Sequence, residues 1–537
     1  MNFSRKKITI FSLLFLSLIF FVISIFYNRD YLFSIANCSS FSFQVKQFLS
    51  IITLYICGFL FLKIIQSSLP SIWVYLLAFP CGAAIWSFAC EAFLLCDFTL
   101  RPWRVVVLIV LFLATLLVIR LFLLKQPLKH SSTGIAIPVC LVLSISLLVS
   151  SGIFFIVVNY DSYFYFSDYG KAIAKLMCYK DIVSSDSYVL TNIGQFLPLI
   201  STYATYWGID TIFPYHLFML LNLLITFSYS IYETAITHFS KRKTILITIA
   251  FCIMLISCSP FFLFSNWVLS NSWIMFYLFP LFLLWYKTNE HHYDALMIIC
   301  LFSLAITMLR KDGLIIVSFL LLAYSLYLGK KKALSFTERA PINHRLALVF
   351  LPCAIYDILY IYILKNELYA TVHTAASNSF ITAKNQFLIT LCSIVVVLYL
   401  LFVFYPLERL FKNKLPIIIS LGIFLAFSGI MLINYPNSLE YIDAWCRNFA
   451  GIGFGYSIFL LLFLFGLSLI LSKEYDYALF VIIGYILLVF IIYESKGNTE
   501  TNIDNSGLRA FVQIIPVLFF TCCHKIVYWS GDLNNKN

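Results

Sequence analysis

The stretch Asn159-Tyr160-Asp161-Ser162-Tyr163-Phe164-Tyr165-Phe166-Ser167-Asp168-Tyr169-Gly170 sets two carboxylates in an aromatic frame directly after a long apolar run. Carboxylates are costly at the edge of a bilayer, so a pair at this place calls for a function. One such group can take the proton of an acceptor hydroxyl during group transfer. Asp161 is the first candidate for that base, with Asp168 as helper or second choice. Cationic groups that could hold a departing phosphate lie farther along. Arg310-Lys311-Asp312-Gly313 sits between two apolar runs so short that the turn is expected below headgroup level, and Arg509 opens the last apolar run. Adjacent cations at such depth want an anion, and a lipid phosphate is the obvious one. Tyr163, Tyr165 and Trp207 offer faces for a sugar ring, and tyrosine suits an interface because one end is wet. Gln195 adds an amide from the same outer segment to the substrate-binding set.

Plainer readings stand beside these. Asp161 could cap the helix that follows it. Tyr160 and Tyr169 read more readily as an interfacial aromatic belt. Arg310 and Lys311 could anchor headgroups or pair with Asp312, and Arg509 could snorkel. Arg120, near a helix end, is expected to snorkel. Cys522-Cys523-His524 resembles a metal fragment but has no partners at ligand spacing. His291-His292 reads as a solvated inward-facing pair, and Lys330-Lys331-Lys332 as a cytoplasmic topology signal. Asn37-Cys38-Ser39 matches the glycosylation acceptor pattern.

The elements that must carry these residues are membrane helices. Hydrophobic residues make up 62% of the 537 and charged ones 11%, with a mean hydropathy of +0.94. A soluble domain is roughly 45–50% apolar and about 25% charged. An outer-membrane barrel would show ten-residue alternation, which is absent. The expected fold is all-α, a polytopic transmembrane helix bundle of about sixteen spans. These run roughly over 8–27, 47–66, 71–96, 103–124, 135–158, 211–235, 244–264, 268–286, 294–309, 313–329, 345–364, 385–405, 416–434, 451–472, 477–493 and 508–526.

The run from Ile8 to Tyr27 is expected to be a retained first helix. Arg5-Lys6-Lys7, Lys125 with Lys129, Lys241-Arg242-Lys243, Lys330-Lys331-Lys332 with Arg339, and Arg409 with Lys412 and Lys414 share one side. The positive-inside rule makes that side, and both termini, cytoplasmic. The first large outer loop, 159–210, is expected to hold short amphipathic helices over 168–180 and 193–207. Residues 1–134 then form N-terminal membrane helices, 135–527 a catalytic membrane module and 528–537 a cytoplasmic tail. The formal charge of +12 reflects membrane-flanking Lys and Arg, and no nucleic-acid partner is expected. Most of the 15 cysteines, such as Cys57, Cys140, Cys252, Cys300 and Cys392, lie in apolar runs and act as small hydrophobes. Cys38, Cys178 and Cys446, in outer loops, imply no disulfide framework.

With these residues in view, the chain resembles the polytopic GT-C glycosyltransferases, similar to the dolichyl-phosphate-mannose and undecaprenyl-phosphate-sugar enzymes. Asp161-Ser162-Tyr163-Phe164-Tyr165 matches the Asp motif that opens their first large outer loop. Gln195-Phe196-Leu197-Pro198-Leu199-Ile200 through Trp207-Gly208 resembles their next segment. Ser259-Pro260 followed by Ser270-Asn271 keeps the pattern. Arg310-Lys311-Asp312-Gly313-Leu314 is similar to their basic–acidic–Gly turn, and Ser506-Gly507-Leu508-Arg509 before Pro516 to their C-terminal end. Tyr160 stands where members often carry a second acid, and about four helices precede the loop where many members have one.

The resemblance covers about residues 135–525. It implies inverting transfer from a lipid-linked sugar donor to a glycan, lipid or protein acceptor, in contact with membrane lipids. Some relatives use a divalent ion, Mg or Mn, and others none. A cell-envelope role in a bacterial inner membrane is expected. Alternatives are an O-antigen-type polymerase or ligase, and a non-enzymatic lipid-linked glycan transporter or flippase. Against the flippase stand the low glycine content, 19 residues, and the absence of a visible repeat, since sliding, broken helices favour Gly and Pro.

Overall fold

A computed structural model describes residues 41–65, 69–96, 98–123, 168–176, 194–209, 212–258, 260–261, 269–287, 293–310, 313–332, 336–360, 457–471, 477–494 and 508–534. Helices dominate them. Five are long and apolar enough to cross a membrane: Val45–Ile65, Ile72–Leu95, Pro102–Phe122, Phe213–Ala235 and Ala510–Trp529. The chain is therefore a helical, multi-pass integral membrane protein.

The first two described helices, α1 (Phe41–Ile65) and α2 (Ser71–Leu95), meet backbone to backbone. A Cβ on Gly58 would stand 1.8 Å from the Ala78 carbonyl oxygen, and one on Gly82 would stand 1.8 Å from that of Leu54. In lipid, two helices gain from such close approach because dispersion replaces the missing hydrophobic drive. Gly82→Leu is expected to force α1 and α2 apart and cost about 3 kcal/mol or more through overpacking. Thermal unfolding of the detergent-solubilised protein checks this, and an unchanged midpoint would refute it.

Helix α3 (Pro102–Val118) starts with Pro102, whose missing N–H costs nothing there. It continues as one wide π turn, Ile119–Leu123. That turn carries Arg120, which does not snorkel. Its side chain is buried and donates to the carbonyls of Lys63, at 2.9 Å, and Ile64. Carbonyls at the end of α1 lack intrahelical partners, and the guanidinium closes two of them.

Next come two short helices, α4 (Tyr169–Leu176) and α5 (Phe196–Tyr206), inside the two segments where the sequence predicts them. Helix α5 stops where Gly208 takes φ 69°. The Ile209 N–H then reaches back to the Ala204 carbonyl at 2.9 Å, a left-handed cap suited to glycine.

Longer helices follow: α6 (Phe213–Ala235), α7 (Lys241–Ser257), α8 (Ser270–Lys287), α9 (Tyr293–Leu309), α10 (Gly313–Lys332) and α11 (Phe336–Leu359). Ring contacts set their directions. His216 meets Trp273 and Phe276, and Phe227 meets Phe279, so α6 and α8 run parallel. Trp73 meets Tyr229, which places the start of α2 beside the end of α6. Trp285 lies 4.0 Å from Tyr324, bringing together the ends of α8 and α10. Helices α1, α3, α6, α8 and α10 thus start at one end of the bundle, the upper end, where α2, α9 and α11 finish. Lys63, Lys241-Arg242-Lys243 and Lys330-Lys331-Lys332 belong to the opposite end.

Helices α12 (Ser457–Ile470) and α13 (Tyr477–Glu494) precede a split last element, α14 (Leu508–Val512) and α15 (Ile515–Asn534). The span expected over 508–526 is met by the apolar stretch Ala510–Trp529, with an interruption in its ladder near the start. Pro516 has no N–H to donate, so the ladder breaks ahead of it. Gln513 and Ile514 instead bond three residues back, to Ala510 and Phe511, both at 3.2 Å. Helix α15 then runs to Asn534, through most of the expected tail. Large apolar side chains on α3, its π turn and α7, including Val110, Leu111, Phe122, Leu246 and Ile253, face outward, as a lipid-facing rim requires.

Candidate functional site

Helix α5 lies across the upper end as a buried crossbeam. Phe196 through Ala204 are all buried, although Ser201, Thr202 and Tyr203 bring hydroxyls. The Thr202 and Tyr203 hydroxyls are tied to backbone carbonyls. Trp86 on α2 donates to the Leu199 carbonyl at 3.3 Å. Tyr203 donates to the Ser50 carbonyl on α1, and Tyr215 on α6 to the Ser50 hydroxyl, each at 2.8 Å. Tyr206 reaches the Leu100 carbonyl at 3.2 Å. Helix α4 docks on this beam through Gly170, where a Cβ would fall 2.3 Å from Ser201 Cβ, and Thr202 donates to the Gly170 carbonyl at 3.2 Å.

The beginning of α5 meets the Arg310 turn. A Cβ on Gly194 would lie 2.2 Å from the Leu309 carbonyl carbon, so only glycine lets the two backbones touch. Just past Leu309, Arg310 is partly buried and donates through Nη1 to Asn271 Oδ1 on α8. The same oxygen accepts from Gln513 Nε2 at 2.8 Å, and Gln513 Oε1 accepts from the Tyr485 hydroxyl on α13. Asn271, Gln513 and Tyr485 are buried. The break before Pro516 is what frees Gln513 to enter this chain. Asn271 orients the guanidinium, whose planar fork of donors has the geometry that matches a phosphate.

Beside it lies a second polar group. Gln195, 0% exposed, donates through Nε2 to the Tyr360 hydroxyl at 3.2 Å. Tyr356 and Tyr360 stack with ring centroids 5.7 Å apart. Glu91 and Asp357 lie within electrostatic reach of both tyrosines. Glu91 and Asp357 are buried. Sequence reasoning centred on loops missed this pair. The available signal was a carboxylate within an apolar run, as in Cys90-Glu91-Ala92 and Tyr356-Asp357-Ile358, which in a membrane span is a mark of function.

The sequence-derived residues distribute as follows. Gln195, Arg310 and the helix carrying Arg509 converge, because Arg509 sits one turn before Gln513 on α14. Asp168 immediately precedes α4, solvent-facing and paired with Lys171 at 3.4 Å. Trp207 follows the far end of α5, about 18 Å along the helix axis from Gln195 at 1.5 Å per residue. There it packs against Tyr203 and is not brought to Arg310. Asp161, Tyr163, Tyr165 and Lys311 lie outside the described residues. Among the described residues no three His, Cys, Asp or Glu side chains gather at metal-ligand spacing. His524 instead packs on Tyr528 at 4.3 Å. No family model, curated protein or solved structure matches the chain.

Proposed function

We propose that the chain is a membrane-embedded glycosyltransferase that moves a sugar from a polyprenyl-phosphate donor to a cell-envelope acceptor at the upper end of the bundle. The observation that carries this reading is the relay from Tyr485 through Gln513 and Asn271 to Arg310. Four chain segments far apart in sequence cooperate to orient one guanidinium at a helix junction. A headgroup anchor needs no such support.

In this reading Arg310, with Lys311 and Arg509, stabilises the phosphate that leaves when the acceptor hydroxyl attacks the anomeric carbon. Asp161 takes the proton of that hydroxyl, with Asp168 as helper. Helices α4 and α5, bound to each other through Gly170, form a platform that joins the acid-bearing segment to the Arg310 turn. Tyr163 and Tyr165 would line the sugar. Trp207, at the far end of the platform, would serve a distal part of a long acceptor.

The upper end would face away from the cytosol, in a bacterial inner membrane, because the basic clusters belong to the other end. A cysteine-free version carrying Asp168→Cys is expected to react with a membrane-impermeant maleimide from outside intact cells, and one carrying Lys331→Cys is not. The reverse pattern would end the proposal.

A further inference from the structure

The far end of α5 gathers positive charge and aromatic faces that the transfer step leaves unused. At Gly208, where the chain turns with φ 69°, a Cβ would lie 3.5 Å from Lys46 Nζ on α1. The Lys46 ammonium therefore stands beside the residue that follows Trp207. A second element arrives through Tyr206, whose hydroxyl donates to the Leu100 carbonyl at 3.2 Å. That bond holds the backbone leading into Arg101 at the same end of α5. Three residues on, Arg104 donates to the Thr99 carbonyl at 3.3 Å and lies 5.4 Å from the Trp103 ring centroid, within cation–π range. Lys46, Arg101 and Trp103 are exposed, while Arg104 and Trp207 are half-buried. Among the described residues, no carboxylate forms an ion pair with Lys46, Arg101 or Arg104. The end of a membrane protein that faces away from the cytosol is ordinarily poor in Lys and Arg, because topology favours them on the other side. Cations at the upper end are therefore not topology signals, and they fit an anion presented from outside. Trp103 and Trp207 add broad ring faces with one polar edge, suited to a sugar.

Resting on the glycosyltransferase reading, we propose that Lys46, Arg101 and Arg104, with Trp103 and Trp207, hold an anionic acceptor, a glycan whose sugars carry carboxylates or phosphodiesters. The cations meet the charges and the indole rings meet the sugar faces. Arg310 takes the donor phosphate near the start of α5, about 18 Å away along the helix axis at 1.5 Å per residue. A single sugar is too short to bridge the two ends, so the acceptor is an oligomer. One sign of charge on this end also raises the local concentration of a polyanion.

Fluorescence anisotropy tests this on the full-length protein in detergent, with an end-labelled oligogalacturonate as the anionic probe and a maltooligosaccharide of equal length as the neutral one. The expected result is saturable binding of the oligogalacturonate that added salt weakens, with no comparable binding of the neutral chain. Lys46→Ala combined with Arg101→Ala should lower the affinity about tenfold, the sum of two exposed charge pairs. Lys46→Glu combined with Arg101→Glu should instead bind a cationic glucosamine oligomer, a gain that a misfolded variant could not produce. Equal affinity for both probes, an unchanged affinity in the double alanine variant, or charge reversal without that gain would overturn the proposal. Complete displacement of the oligogalacturonate by phosphatidylglycerol would assign the cations to lipid headgroups and overturn it as well. No donor is present in these measurements. Oligogalacturonate binding in a protein without transfer activity would end the enzyme reading and keep the anion site, whereas transfer to a neutral acceptor would do the opposite.

Discussion

Arg310→Ala is expected to lower transfer from a polyprenyl-phosphate donor by about 100- to 1,000-fold, the size of effect seen when one donor to a developing anion is removed. Part of the loss would appear as weaker donor saturation, because the phosphate is charged before as well as after transfer. Arg310→Lys should recover only a fraction. A lysine keeps the charge but loses the planar fork that Asn271 orients. Asn271→Ala should act through the same guanidinium, costing about 1.5–3 kcal/mol for a hydrogen bond to a charged group. Its effect should nearly vanish in an Arg310→Ala background, since contacting residues do not add. Donor-saturation curves in membranes expressing each variant decide this. Unchanged saturation in Arg310→Ala would remove the phosphate role.

Asp161→Asn should abolish transfer while the protein remains folded and inserted. General base catalysis contributes about 100- to 10,000-fold, and asparagine keeps the shape while losing the basicity. The expected signature is a fall in turnover with little change in donor affinity, because the base acts on the acceptor hydroxyl. Asp168 gives the contrast. Its side chain is 45% exposed and already paired with Lys171, so Asp168→Asn should cost far less than Asp161→Asn. Wild-type activity in Asp161→Asn would defeat its role as base.

Helix existence was legible because span length and apolar content leave a buried membrane helix few alternatives. Helices α4 and α5 were legible for a different reason: their polar-apolar spacing marks them as surface-parallel pieces within a loop. The expectation of an amphipathic piece was only half met for α5, whose residues Phe196 to Ala204 are buried throughout. Hydroxyls of Tyr203 and Thr202 satisfy distant backbone groups, a compensation that pattern alone does not reveal. Sidedness put Gln195, Arg310 and Arg509 on one expected face of the membrane, but the partners that hold Arg310 were not legible. Asn271 reads as an ordinary helix-start residue, and Gln513 enters only because Pro516 breaks the last helix. Glu91 and Asp357 were visible in the sequence but were passed over in favour of loop acids. Arg120 went wrong because an arginine near a helix end can either reach headgroups or cap a neighbour, and only packing chooses.

The most direct measurement is a glycolipid and envelope-glycan mass profile of cells lacking the chain, complemented with wild type or with Arg310→Ala. Wild type should restore one sugar to one envelope acceptor, while the null cells and the Arg310→Ala cells both lack it and accumulate the polyprenyl-phosphate sugar. Identical profiles in null and wild-type cells, or full restoration by Arg310→Ala, would contradict a transferase centred on that guanidinium.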